Sequence, residues 1–156
     1  MAAPNCITML KSFLDRLNGQ SPTAPDPTDE RTAVAALLVN AARVDQDYTD
    51  TEKGLIEAIL AHRYEMAPAD AEALRLEGEE AEAAAVDNFR FGQVIRDSLP
   101  EPDRVPVVEA LWSVVLSDET RDAQENEIVR RVVKILDIEP RESVLARQRV
   151  EAAMKG

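Results

Sequence analysis

The stretch A-A-L-L-V-N-A-A-R-V-D-Q-D-Y-T-D-T-E, Ala35 to Glu52, contains the pattern that decides the fold. Its first half continues an apolar stripe with helical spacing. Its second half, from Val44 onward, places four carboxylates within nine residues. The stretch therefore predicts a helix, an acidic turn and the start of a second helix. The stripe consists of Val34, Leu37, Leu38 and Ala41.

The start of the second helix has a recognisable cap. Thr49-x-x-Glu52 is a capping box, in which the threonine hydroxyl and the glutamate carboxylate satisfy free backbone amides. Asp122-x-x-Glu125 has the related form, with Asp122 as the predicted N-cap. Capping alone thus accounts for Thr49, Glu52, Asp122 and Glu125.

The same pattern recurs later in the chain. An offset of 73 residues places Val34 on Val107 and, without a gap, Leu60 on Val133. Both copies read as helix, acidic turn, helix, with Asp-x6-Glu across the turn. The recurrence predicts two helical hairpins related by a pseudo-twofold axis. The aligned acidic residues are Asp45 with Asp118 and Glu52 with Glu125.

The rest of the chain also has helical periodicity, and no stretch alternates with the period of a strand. Pro68 is suited to open a helix, and Trp112 lies on an apolar stripe, where its indole NH needs a partner. The stretch from Glu65 to Asp87 has eight carboxylates and one arginine, Arg75, which is typical of a solvated helix face. We expect an all-α, single-domain bundle of about seven to eight helices.

Two units are expected along the chain. Residues 1–29 combine a short amphipathic helix, from Met9 to Leu17, with a linker containing three prolines between Ser21 and Asp29. Residues 30–156 form the helical domain. The chain shows neither a secretory leader nor an apolar run long enough to span a bilayer, so we expect a cytoplasmic protein.

Composition narrows the range of functions. The chain has 18 Lys and Arg against 30 Asp and Glu, a formal net charge of −12, which disfavours nucleic acid and anionic lipid as partners. It has one cysteine, Cys6, and one histidine, His62, so neither a disulfide nor a multi-histidine metal site can form within it. Divalent cations and basic protein surfaces are the expected partners.

The acidic turns are the candidate metal site. A calcium loop of the helix–loop–helix type needs glycine at its sixth and glutamate at its twelfth position, but counting from Asp45 these are Asp50 and Ile56. A looser site for Ca²⁺, Mg²⁺ or Mn²⁺ remains open, with waters completing the shell. Its first candidate ligands are Asp45, Glu52, Asp118 and Glu125, and its second are Asp47, Asp50 and Asp122.

With these motifs in view, the chain resembles the TerB-like family of bacterial tellurite-resistance proteins from about Thr32 to Val150. The resemblance rests on the opening stretch, on V-D-N-F-R-F-G-Q-V-I, and on V-V-E-A-L-W-S-V-V-L-S-D-E-T-R-D-A-Q-E-N-E-I-V-R-R-V. The family pattern usually has Ala-Asp-Gly at each turn. Here both aspartates match, whereas Gln46 and Glu119 replace the glycines.

The resemblance implies an all-helical fold, a role in resistance to tellurite and other stresses, and association with membrane stress complexes. It implies no catalytic reaction. We therefore expect a non-enzymatic domain whose acidic face binds a divalent cation, a partner protein or both. Two alternatives stay open: a pure interaction or scaffold module without metal, and an enzyme that uses paired carboxylates as acid and base.

Overall fold

The computed structural model of the protein describes residues 29–44, 47–117 and 123–155, without the side chains of residues 123–126. These residues form seven helices and no strand, which confirms the predicted all-α class. The helices are α1 (Glu30–Arg43), α2 (Asp50–Tyr64), α3 (Pro68–Ala84), α4 (Phe89–Ser98), α5 (Glu101–Leu116), α6 (Ala123–Ile135) and α7 (Pro140–Lys155). The predicted helix from Met9 to Leu17 lies outside the described residues.

Local sequence signals explain several helix boundaries. The Asp29 carboxylate accepts a hydrogen bond from the Arg31 amide at the start of α1. Pro68 opens α3 as predicted, because the amide that proline lacks would have no partner in the first helical turn. Helix α4 ends at Ser98, before Pro100, which serves as the N-cap of α5.

The predicted repeat is visible in these boundaries. Helix α1 ends at Arg43 and α5 ends at Leu116, positions that differ by 73. Helix α2 begins at Asp50 and α6 begins at Ala123, which also differ by 73. The chain therefore contains two helix–turn–helix units, α1–α2 and α5–α6, whose helices flank the acidic turns at equivalent positions.

Helix α1 is the centre of the bundle: the four residues of its predicted apolar stripe are buried, and the burial extends beyond that stripe. Ten of its residues are buried, and they lie all round the helix. The reason is that α1 packs against four other helices, α2, α3, α4 and α5. Its alanine-rich sequence suits this position, since small side chains allow several helices to approach. The buried residues are Thr32, Ala33, Val34, Ala35, Ala36, Leu37, Leu38, Val39, Ala41 and Ala42.

The contact between α1 and α3 depends on Gly78. A Cβ atom built on Gly78 would lie 2.7 Å from the Ala35 Cβ and 2.9 Å from the Ala36 backbone nitrogen. Those distances are far below van der Waals contact, and the backbone atoms cannot rotate away. Only glycine allows the two helices to lie this close.

Replacing Gly78 by alanine should lower the free energy of unfolding by about 1–3 kcal/mol, because the added methyl group overpacks this contact. Equilibrium unfolding in urea measures the change. Gly54→Ala is the matched control, since Gly54 also lies inside a helix but has nothing within 4 Å of its Cβ position. That substitution should stabilise the protein by up to about 1 kcal/mol through helix propensity. Equal effects at the two positions would contradict the close approach.

Candidate functional site

The first acidic turn leads directly into a capped helix, as predicted. The Thr49 amide and hydroxyl each donate a hydrogen bond to Glu52 Oε1, both at 3.3 Å. In return, the Glu52 amide donates to the Thr49 hydroxyl at 3.2 Å. Glu52 is only 6% exposed. The buried Glu52 carboxylate therefore stabilises the backbone at Thr49, where the turn ends. Its role as a metal ligand stays a prediction.

Tyr48 fastens the same turn to a neighbouring helix. Its hydroxyl donates a hydrogen bond to Glu79 Oε2 of α3, at 3.1 Å. Its ring lies beneath two cations, with the Arg43 guanidinium carbon 5.2 Å and the Lys53 ammonium 5.1 Å from the ring centre. Both cations are within the range of favourable cation–π contact. The turn is thus held to α3 by Tyr48 and to α2 by Thr49.

Arg75 forms the central ion pairs next to Tyr48. It comes from α3, is only 7% exposed, and forms ion pairs with Glu57 of α2 and Glu79 of its own helix. The Arg75 Nε lies 2.6 Å from Glu57 Oε2. A buried cation without such partners would be strongly destabilising, and the two carboxylates supply them.

A second arginine extends this arrangement to α1. Arg43 forms ion pairs with Glu82 at 2.6 Å and with Glu79 at 3.5 Å. The Asn40 side-chain amide also donates to Glu82, at 3.4 Å. We refer to Arg43, Tyr48, Glu57, Arg75, Glu79 and Glu82 as the arginine network.

The network corrects the prediction that the acidic stretch from Glu65 to Asp87 is simply a solvated face. The Glu79 and Glu82 side chains are 19% and 15% exposed and point toward α1, whereas Glu72 and Glu80 are exposed. One sequence signal marked the inward face: Arg75 is the only basic residue among the eight carboxylates. Sequence reasoning named this arginine but not its partners.

The network shifts the acid–base properties of its members. Burial raises the pKa of Tyr48 to about 12; the charge of Glu79 acts in the same direction, while the hydrogen bond from Arg75 opposes it. Burial alone would lower the pKa of Arg75, but hydrogen bonds with Glu57 and Tyr48 and the charge of Glu79 outweigh burial and raise it. Both groups therefore remain protonated throughout the physiological range.

The other predicted ligands have different positions. Asp47 and Asp50 are exposed beside Tyr48 and Thr49, and Asp50 lies 3.8 Å from the Lys53 ammonium. Asp45, Asp118 and Asp122 lie outside the described residues, and Glu125 belongs to α6 without a described side chain. Over residues 29–44, 47–117 and 123–155, no three His, Cys, Asp or Glu side chains are arranged to hold a metal ion.

The second helix–turn–helix unit packs differently. Trp112 is buried, and its indole NH donates to the Ser143 hydroxyl of α7 at 3.3 Å, which confirms the predicted need for a partner. The Arg147 guanidinium carbon lies 5.0 Å from the Trp112 ring centre. Glu109, one turn before Trp112, pairs with Arg149 at 2.9 Å. In the second unit α5 therefore packs against α7, whereas in the first unit α1 packs against α3.

Residues 31–148 match the family model described as tellurite resistance protein TerB. The match spans both helix–turn–helix units and the whole arginine network. No curated protein and no solved structure matches the chain significantly. Among the described helices, none has both the length and the apolar character needed to cross a membrane.

The raised pKa of Tyr48 predicts a specific pH dependence. Above the ordinary tyrosine pKa of 10, the unfolded chain loses this proton while the folded chain keeps it until about pH 12. The stability that Tyr48 contributes should therefore be complete below pH 10 and disappear as the pH rises through about 12. The phenolate absorbance of a Tyr64→Phe variant, in which Tyr48 is the only tyrosine left, should have its midpoint near 12 when folded and near 10 in urea. A midpoint near 10 in the folded variant would contradict this environment.

Removing the central cation should be costly. Arg75→Ala leaves Glu57 and Glu79 without their main partner in a partly buried site, and we expect a loss of about 2–3 kcal/mol in urea unfolding. Arg131→Ala is the control, because Arg131 pairs with Glu127 on the surface, where the side chains are 74% and 55% exposed. That variant should lose less than about 1 kcal/mol. Similar losses in both would show that the arginine network adds no more than a surface ion pair.

Proposed function

Because the chain belongs to the TerB family of tellurite resistance proteins, we propose that it is a non-enzymatic helical domain whose acidic turns bind a divalent cation. The observation that carries the proposal is the double anchoring of the first turn. Tyr48 binds Glu79 of α3, and Thr49 forms the capping box with Glu52 of α2. Because Tyr48 and Thr49 are already held by these contacts, they lose little conformational entropy when the neighbouring carboxylates bind a ligand.

The chemistry of the turn suits a hard cation. Ca²⁺, Mg²⁺ and Mn²⁺ prefer carboxylate, carbonyl and water oxygens. Asp47 and Asp50 present carboxylates on the outer side of the anchored turn. Within the network, Arg43 and Arg75 already pair with the inward-facing carboxylates. We assign Asp47 and Asp50, which are exposed to solvent, together with Asp45 to a cation, with Asp118, Asp122 and Glu125 as their counterparts in the second unit.

The acid–base properties of the network support a non-enzymatic role. A general base works best with a pKa near the operating pH. Tyr48, with a pKa of about 12, and Arg75, with its raised pKa, both keep their protons at neutral pH. Tyr48 and Arg75 thus stabilise the structure beside the acidic turn and are unsuited to proton abstraction.

Direct handling of tellurite is disfavoured by charge and redox chemistry. Tellurite is an oxyanion, and a chain with a net charge of −12 repels it. Reduction through a dithiol needs two cysteines, whereas this sequence has only Cys6. We therefore infer a supporting or regulatory role within the resistance response.

A scaffold without metal is the second candidate, and the outer face of α3 favours it. Glu72, Leu76 and Glu80 follow each other at four-residue spacing, and all three are exposed. An exposed leucine between two glutamates suits a basic partner surface that also has an apolar patch. This candidate needs the acidic face but no cation.

Thermal melting of metal-stripped protein distinguishes the two candidates. A saturating cation should raise the melting temperature of the wild type by roughly 5–10 °C at a hundredfold excess over its Kd. An Asp45→Asn/Asp118→Asn variant should lose that increase. Ca²⁺, Mg²⁺ and Mn²⁺ are tested separately.

The matched control is Asp97→Asn/Asp103→Asn, which makes the same charge change at exposed positions of α4 and α5. It should keep the full cation-dependent increase. A wild type that shows no increase with any of the three ions would refute cation binding and leave the scaffold candidate. An increase that persists in the Asp45/Asp118 variant would move the site elsewhere.

A further inference from the structure

A pocket of about 640 Å³ lies where α5, α6 and α7 meet, away from the first acidic turn. This volume is within the range of small-molecule sites, roughly 300–1,000 Å³. Trp112, Val129, Val133 and Ile138 line it, and all four are buried in the core. The pocket therefore has an apolar interior with one large aromatic surface.

The mouth of the pocket also has an apolar residue. Val144 lines the pocket and is 55% exposed. Helix α7 packs on α5, and its buried residues are Ser143, Ala146 and Val150. Val144 is consequently left at the surface, where a bound molecule could cover it.

The charges around the pocket are opposite in sign to the protein as a whole. Arg130, Lys134 and Arg147 line it, against one lining carboxylate, Asp137. Arg147 pairs with Glu151 at 2.6 Å and stacks on Trp112. Arg130 and Lys134 form no ion pair with any carboxylate whose side chain the structure describes. Two cations at the rim are thus available to a ligand, in a chain of net charge −12.

We infer that this pocket binds a small amphipathic organic anion, such as a carboxylate with an aliphatic or aromatic body. The apolar body lies against Trp112 and Val133, and the anionic head pairs with Arg130 and Lys134 at the rim. Apolar contact supplies affinity, and the two cations orient the ligand and select its charge. The residues that line the pocket include none of the carboxylates that we assign to the cation, so this inference does not depend on the proposed cation binding.

The protein contains its own reporter for this site. Trp112 is the only tryptophan in the sequence and lines the pocket, so a change in tryptophan emission reports on this position alone. Octanoate is the probe, because it joins an apolar chain to one carboxylate. It should change the Trp112 emission saturably and raise the melting temperature, since it binds the native state. Octylammonium, with the opposite charge, and acetate, without the apolar chain, should each bind at least about tenfold more weakly.

Two double variants test the rim. Arg130→Gln/Lys134→Gln should weaken octanoate binding about tenfold, as expected for two exposed charge contacts. Arg131→Gln/Arg141→Gln removes the same charge from exposed positions that do not line the pocket, and it should bind octanoate like the wild type.

The possible results separate clearly. No saturable change with octanoate would overturn the inference. So would equal binding of octylammonium, which would indicate a purely apolar pocket, or equal binding of acetate, which would indicate nonspecific anion attraction. Equal weakening in the two double variants would show that net charge and not the rim controls binding.

Discussion

The close approach of α1 and α3 is the constraint on which the rest of this structure depends. At Gly78 the α3 backbone lies so near Ala35 and Ala36 that no side chain fits between them. This contact helps to enclose α1 on all sides. It also determines what lies next to it on α3: Arg75 is one turn before Gly78, and Glu79 and Glu82 follow it. Gly78 therefore determines where the charged side chains of α3 meet those of α1.

Once α3 lies against α1, its inward-facing carboxylates need partners. Ionised groups lose hydration when they are covered, and they are tolerated in such places only when they are paired. Arg43 from α1 and Arg75 from α3 supply the cations, and Tyr48 links the pairs to the first acidic turn. Tyr48 therefore contacts α1, α2 and α3 through Arg43, Lys53 and Glu79. These contacts support our proposal that the adjacent carboxylates recognise a cation or a partner.

The two helix–turn–helix units share one local sequence pattern but pack against different helices. Val39 and Trp112 occupy equivalent positions under the 73-residue offset, and both are buried. Val39 lies in a helix that is enclosed by α2, α3, α4 and α5. Trp112 instead meets α7, where its larger ring contacts Ser143 and Arg147 and lines the pocket at the α5–α6–α7 junction. Duplication of the local pattern is therefore compatible with two chemically distinct regions, one acidic and one basic.

Local chemistry determined the parts of this protein that could be predicted from the sequence. The helices, the Thr49–Glu52 capping box, the helix start at Pro68 and the need of Trp112 for a hydrogen-bond partner all follow from residues close together in the chain or from one side chain's own chemistry. Tertiary structure alone decided that α1 is buried all round, that Glu79 and Glu82 face inward, and that Val144 stays at the surface. The physical reason is that periodicity shows which residues share a face of a helix, whereas the burial of that face and the charges it meets depend on helices distant in sequence.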